Sequence, residues 1–126
     1  MILVDSSIWV DHLRSEDSTL ASLLNANEVM CHPLIEGEIL MGNARHWSAL
    51  REMLSLLPQG PLAENDEVLD LVARHKLHGI GIGFIDAHLL ASAQLSGEAK
   101  IWSRDRRLAQ TARKLGLASL SLPSLQ

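Results

Sequence analysis

Residues 1–13 read MILVDSSIWVDHL and contain the strand and the helix with which the predicted fold begins. Residues 2–4 are apolar without alternation, which is typical of a strand that is buried on both faces. Asp5 closes this strand, and residues 7–14 then carry their apolar side chains at helical spacing. A buried strand that leads directly into a helix predicts the first unit of a parallel α/β sheet.

The same alternation of strands and helices continues along the chain. Further strands are predicted over residues 28–31, 100–103 and 118–122. Helices are predicted after Asp17, from Pro33 to Gly42, over residues 47–57, from Asn65 or Asp66, over residues 84–95 and after Asp105. Strands that are separated by helices predict an α/β fold with a short central parallel sheet of about four to five strands, flanked by helices. We expect one domain over residues 1–126.

The composition excludes several classes of protein. Apolar residues make up 47% of the chain and charged residues 21%, which is typical of a soluble globular domain. No apolar run approaches the roughly 18 residues of a membrane span, and the N-terminus lacks the pattern of a secretory signal. Cys31 is the single cysteine, so a disulfide framework and a cysteine zinc site are excluded. We expect a cytoplasmic protein without a membrane contact.

Four carboxylates lie against apolar segments, where an unpaired charge costs several kcal/mol. These are Asp5, Glu38, Asp86 and Asp105. Two of them, Asp5 and Asp105, fall at or just past the carboxyl ends of predicted strands, where open parallel sheets bind ligands. Four acidic side chains in such positions predict a site for a divalent cation, because such cations prefer hard oxygen ligands.

Helical spacing separates Glu38 from its acidic neighbour. Glu38 shares a helix face with Ile35, Ile39 and Gly42, whereas Glu36 is turned about 160° away from it. We therefore expect Glu38 to point inward and Glu36 to lie on the surface.

Basic residues are concentrated at the C-terminal end of the chain. Residues 1–98 hold five Lys and Arg against fourteen Asp and Glu, whereas residues 99–126 hold six against Asp105 alone. A basic end beside an acidic body is compatible with a polyanion held next to a metal. A solvated helix face is the alternative for such a cluster.

Two further sequence patterns do not match a zinc site or a dinucleotide-binding site. The six histidines do not have a zinc-binding spacing. Residues 79–83, GIGIG, lack the GxGxxG order of a dinucleotide fingerprint and follow a predicted helix. They are interpreted as a turn that leads into the helix of Asp86.

Two other functions fit the acidic residues. The first is a phosphatase or phosphoacceptor domain with Asp5 as nucleophile, although Ser6 and Ser7 stand where such domains usually have a second acidic residue. The second is a non-catalytic module whose acidic pocket binds a basic peptide.

Four segments together resemble the PIN-domain ribonucleases, and most of all the VapC-type toxins of bacterial toxin–antitoxin pairs. The segments are MILVDSSIWVDHL, HPLIEGEILMGN, GIGFIDAHLLASA and IWSRDRRLA, in this order. The resemblance implies a PIN-like fold and an endoribonuclease that depends on Mg²⁺ or Mn²⁺. It also implies a cleavage that leaves a 5′-phosphate and a 3′-hydroxyl. The implied partners are RNA, a cognate antitoxin and a second copy of the chain in a homodimer, with a larger toxin–antitoxin assembly as a further form.

The resemblance also implies roles for individual residues. The acidic catalytic site of the family falls on Asp5, Glu38, Asp86 and Asp105, of which Asp5 and Asp86 would bind the metal directly. Ser6 and Ser103 stand where the family often has Thr, and are expected to support the site. Arg104 and Arg107 are expected to hold flanking phosphates of the RNA.

Overall fold

A computed structural model of the protein describes residues 1–42, 45–119 and 122. Its sheet contains three parallel strands in the order β2–β1–β3, namely β1 (Ile2–Val4), β2 (Val29–Met30) and β3 (Lys100–Trp102). Single parallel bridges join Cys31 to Gln59 and Ile101 to Ala118, and extend the sheet on both sides. The predicted parallel sheet is confirmed. Beyond its three strands, the segments at its two edges are joined to it by single bridges. The predicted last strand is represented by Ala118, while residues 120 and 121 lie outside the described residues.

Seven helices occur in the described part of the chain. They are α1 (Ser6–Arg14), α2 (Ser18–Asn25), α3 (Pro33–Met41), α4 (Trp47–Ser55), α5 (Asn65–His75), α6 (Phe84–Ser96) and α7 (Arg106–Lys114). As predicted, Asp17 caps α2 by accepting a 2.9 Å hydrogen bond from the Leu20 amide. No helix in residues 1–42 and 45–119 combines the length and the apolar character that crossing a membrane requires.

The core lies on both faces of the short sheet. Leu3 and Val4 of β1 are completely buried, as the unalternated apolar run predicts. Helix α6 is buried along its whole middle, from Ala87 to Ala93, which explains why its sequence is apolar on nearly every side.

The strand register positions the functional residues. Val4 of β1 pairs with Trp102 of β3, so the residues that follow these strands lie side by side. The Asp5 amide donates a 2.9 Å hydrogen bond to the Trp102 carbonyl, which continues the ladder to the edge of the sheet. Asp5 and Ser103 therefore meet at the carboxyl end of the sheet, where ligands of parallel sheets bind.

Candidate acidic site

A cleft of about 490 Å³ opens at the carboxyl end of the sheet. It is lined by Asp5, Ser6, Ser7, Val10, Asp11, Glu38, Asp86 and Asp105. The structure thus brings all four carboxylates that the sequence singles out to one cleft. Asp11 is a fifth carboxylate that the sequence reasoning missed. Its signal was available, because Asp11 lies four residues after Ser7 and so shares that residue's face of α1.

Asp5 is the most buried of these carboxylates, with 6% of its surface exposed. It precedes the first turn of α1, but its side chain caps no amide of that helix. Instead, Asp5 Oδ2 accepts hydrogen bonds from Ser7 Oγ at 2.9 Å and from Ser103 Oγ at 2.7 Å. No described residue donates a hydrogen bond to Oδ1. The carboxylate is therefore fixed through one oxygen, and its other oxygen is available to a ligand in the cleft.

The serine hydroxyls connect the site to the backbone after β3. Ser103 Oγ accepts a 2.9 Å hydrogen bond from the Asp105 amide, and Ser7 Oγ accepts one of 3.0 Å from the Arg104 amide. Ser6 hydrogen-bonds the Glu38 side chain. The sequence reasoning chose Ser6 and Ser103, where the family often has Thr, and missed Ser7. The bond of Ser7 to Asp5 spans two residues, whereas its bond from the Arg104 amide spans 97 and is not readable from local sequence.

Glu38 reaches the cleft from α3, near Asp5 and Asp86. Partial burial raises its pKa, and so do the negative charges of Asp5 and Asp86, while the hydrogen bond from Ser6 acts in the opposite direction. The sequence predicted that Glu38 points inward and that Glu36 lies on the surface. This prediction is wrong with respect to exposure, since Glu38 is exposed and Glu36 is half-buried. The cleft is open to solvent, so a side chain that faces it stays accessible.

Asp86 lies in the first turn of α6 and is half-buried. Its Oδ2 accepts a 3.1 Å hydrogen bond from the Gly83 amide, which fixes the carboxylate at the start of the helix. Burial raises the pKa of Asp86 against the effect of this hydrogen bond, and the charges of Asp5 and Asp105 raise it further.

Asp105 lies at the start of α7 and is exposed, which corrects the expectation of a buried acid. Its Oδ1 accepts hydrogen bonds from the Arg107 amide at 2.9 Å and from the Leu108 amide at 3.1 Å. The residue is thus an N-cap as well as a wall of the cleft.

The donor set fits a hard divalent cation. All the charged groups that line the cleft are carboxylates. Burial is the main cause of the raised pKa of Glu38 and of Asp86, and a cation between the carboxylates would offset the repulsion that raises both further. In the described part of the chain, no three acidic, His or Cys side chains form a group that could hold a metal ion. Mg²⁺ is usually bound through one or two carboxylates and keeps several waters, so carboxylates such as Asp5 and Asp86 are the residues that could hold it here.

The two arginines selected from the sequence have different surroundings. The Arg104 guanidinium forms ion pairs with Asp11 at 2.9 Å and with Asp17 at 2.6 Å. This arginine is engaged within the protein, so its expected role in phosphate binding is not supported. Arg107 is exposed, and its guanidinium forms no ion pair with any described residue.

A pair of histidines lies in the core. The rings of His32 and His88 are 6.5 Å apart, and both residues are buried. Burial lowers the pKa of His32 to about 4, with a smaller contribution from His88. His32 is therefore neutral at physiological pH. His88 packs edge-on against Phe84, with ring centroids 4.8 Å apart.

Comparison with known proteins gives two relatives of nearly full length. The model of the family described as "PIN domain" matches residues 2–114. The chain is 43% identical over 118 residues to proteins named "Ribonuclease VapC32" from two strains of Mycobacterium tuberculosis, CDC 1551 / Oshkosh and H37Rv. The match covers 94% of this chain and 95% of each relative.

A solved structure shares the fold. Its title is "Structure of FitAB bound to IR36 DNA fragment", and the similar chain superposes with a TM-score of 0.64. The match covers 90% of this chain and 91% of that one, at 19% identity. All five carboxylates of the cleft lie within the residues that the family model matches.

Proposed function

This chain belongs to the PIN-domain family and to its VapC-type ribonucleases, and from this premise we propose that its acidic cleft hydrolyses RNA phosphodiester bonds with Mg²⁺ or Mn²⁺. The supporting observation is that four carboxylates without an ion pair to a described residue, Asp5, Glu38, Asp86 and Asp105, line one cleft. Burial, together with the charges of neighbouring carboxylates, raises the pKa of Glu38 and of Asp86 there. A site that accumulates uncompensated negative charge is suited to a cation. The phosphoacceptor and peptide-module alternatives lose support, because a nuclease family matches residues 2–114.

Three acidic residues of the cleft, Asp5, Asp86 and Glu38, have a stated part in this proposal. Asp5 and Asp86 would hold the cation, since Asp5 Oδ1 is unbonded and Asp86 is fixed by the Gly83 amide. When bound, the cation would activate a water and stabilise negative charge on the phosphate. Glu38 stands at the open side of the cleft, where it would orient the attacking water and accept its proton. The hydroxyls of Ser7 and Ser103 keep Asp5 in place.

The partners follow from the family. We infer that the protein is the toxin of a toxin–antitoxin pair, acts in the cytoplasm and forms a homodimer, alone or within a larger assembly with its antitoxin. An acidic cleft of this kind favours an antitoxin segment with an Arg or Lys side chain, which would take the place of the cation near Asp5 and Asp86. Inhibition would then compete with metal binding.

A comparison of three variants tests the activity. Asp5→Asn and Asp86→Asn should abolish cleavage of single-stranded RNA in Mg²⁺, whereas Asp70→Asn, an exposed residue of α5 outside the cleft, should keep the wild-type rate. The unchanged protein should be inactive in chelator and should produce 5′-phosphate ends. Circular dichroism confirms that each variant is folded. The proposed mechanism would be refuted if Asp86→Asn cleaved RNA at the wild-type rate, or if the unchanged protein kept its cleavage rate in chelator.

A further inference from the structure

A second cleft lies between the C-terminal end of α5 and the outer face of α7. We call it the basic groove, and its volume is about 660 Å³. The polar side chains that line it include His75, Lys76, Arg107, Gln110 and Lys114. Among the described residues, no carboxylate lines this groove, whereas five carboxylates line the acidic cleft. The two clefts therefore have opposite charge.

The cations of the groove are not neutralised within the protein. Lys76, Arg107 and Lys114 are exposed, and none of them forms an ion pair with a described residue. Arg104, in contrast, is paired twice. Three uncompensated positive charges around one concave surface create a potential that attracts an anion with more than one charge.

The basic groove and the acidic cleft are connected through two segments of the chain. Helix α7 contributes Asp105 to the acidic cleft and, two residues later, Arg107 to the groove. The loop before α6 contributes Ile80 to the groove, while its Gly83 amide holds Asp86. A flexible polyanion that crosses the acidic cleft would thus meet the groove next.

Gly81 makes the position of Arg107 possible. The backbone at Gly81 has a φ of +92°, and a Cβ atom there would overlap the Arg107 guanidinium. The Arg107 side chain thus lies directly against the loop that carries the start of α6. This contact places a positive charge against the loop whose Gly83 amide holds Asp86.

We propose that the basic groove binds the sugar-phosphate backbone of the RNA strand that leaves the acidic cleft. The proposal rests on the function proposed above. Lys76 and Lys114 would act as point charges toward phosphates, and the planar guanidinium of Arg107 would bind the phosphate nearest to the site of cleavage. No Phe, Tyr or Trp side chain lines the groove in the described part of the chain, so its main contacts would be with the phosphate backbone.

Binding of a labelled single-stranded RNA in chelator tests the groove separately from catalysis. Without metal the acidic cleft repels RNA, so the groove should supply the remaining affinity. Lys76→Gln with Lys114→Gln should bind several-fold more weakly, and the slope of log K against log salt should fall by about 1.4, since each phosphate contact on a single strand contributes about 0.7. The matched control is Arg106→Gln with Arg113→Gln, which removes two exposed charges of α7 outside the groove.

The outcomes separate the groove from its alternatives. An unchanged control with a weakened groove variant supports the proposal. Equal losses of RNA affinity in the groove variant and in the control would mean that only net charge matters. No loss of affinity in the groove variant would mean that the groove is a solvated face. Either result overturns the proposal. Displacement of the RNA by inorganic phosphate, with an affinity that is independent of RNA length, would identify a pocket for a single anion and would also overturn it. Absence of metal-dependent cleavage by the wild type bears on the proposed function alone.

Discussion

The Ser103 hydroxyl donates a 2.7 Å hydrogen bond to Asp5 Oδ2 and so joins two residues that are 98 positions apart. The same hydroxyl accepts a hydrogen bond from the Asp105 amide at 2.9 Å. One side chain, buried at 3% exposure, thereby links the end of β1 to the start of α7. The relative positions of two cleft carboxylates depend on this hydroxyl.

Ser103→Ala should lower both stability and activity. The substitution leaves Asp5 Oδ2 with one hydrogen bond fewer and the Asp105 amide without its acceptor, which costs about 1–3 kcal/mol for buried polar groups. RNA cleavage should fall as Asp5 loses its fixed orientation. Ser103→Thr keeps the hydroxyl and should recover most of both properties. Urea unfolding and cleavage rates measure the two effects, and full activity in a destabilised Ser103→Ala protein would separate Ser103 from the site.

Arg104→Ala should weaken the fold without weakening RNA binding. Its ion pairs with Asp11 and Asp17 are partly exposed, so their loss should cost about 1 kcal/mol at neutral pH. The pKa of Asp17 is lowered first by the Leu20 amide and then, against the effect of burial, by Arg104. A lowered carboxylate pKa contributes stability above its ordinary value of 3.8, and this stability is lost as the pH falls through the lower folded value.

The stability difference between wild type and Arg104→Ala should therefore shrink as the pH falls from 3.8 through the lower folded pKa of Asp17. Arg113→Ala, on the exposed face of α7, serves as the control, since Arg113 has no ion pair with a described residue. Thermal unfolding between pH 2.5 and pH 7 and RNA anisotropy provide the measurements. A large loss of RNA affinity in Arg104→Ala alone would restore the role in phosphate binding that the sequence suggested.

Gly81→Ala should move Arg107, and Gly79→Ala should not. Both glycines have a positive φ, +92° for Gly81 and +73° for Gly79, so an added Cβ strains the backbone at each. Nothing lies within 4 Å of a Cβ at Gly79, whereas one at Gly81 meets Arg107. Similar melting temperatures with weaker RNA binding in Gly81→Ala alone would separate the displaced arginine from the strain. Equal RNA affinities would indicate that the position of Arg107 does not matter.

The helices, the parallel sheet and the four acidic positions of the cleft were predictable from local sequence patterns. Asp17 as a cap and Pro33 in the first turn of α3 are signals within a few residues, and the structure has both. The partners of Arg104 were not predictable in this way, because Asp11 and Asp17 lie 93 and 87 residues from it. Exposure was also misjudged, since an acid beside apolar residues in sequence can still face an open cleft, as Glu38 and Asp105 do.

Glu38→Gln should stabilise the metal-free protein near neutral pH. The raised pKa of Glu38 means that the folded state retains a proton that the unfolded chain releases. Stability from this group is therefore fully present below its ordinary value of 4.5 and is lost as the pH rises through the higher folded value. Glutamine keeps the shape and cannot ionise, so the melting temperature of Glu38→Gln should decline less over this range. Glu36→Gln, on the same helix but outside the cleft lining, should follow the wild type.

Mg²⁺ should raise the melting temperature of the wild type more than that of Glu38→Gln. A ligand that binds only the folded state stabilises it by mass action, so Mg²⁺ should raise the melting temperature of the wild type and of Glu36→Gln. Glu38→Gln should gain less, because the site has lost part of the negative charge that attracts the cation. Scans of the three proteins in chelator and in Mg²⁺, at matched ionic strength, measure both effects. If metal-free Glu38→Gln melts below the wild type and gains equally from Mg²⁺, then the hydrogen bond from Ser6 outweighs the repulsion, and Glu38 is a structural acid rather than part of the cation site.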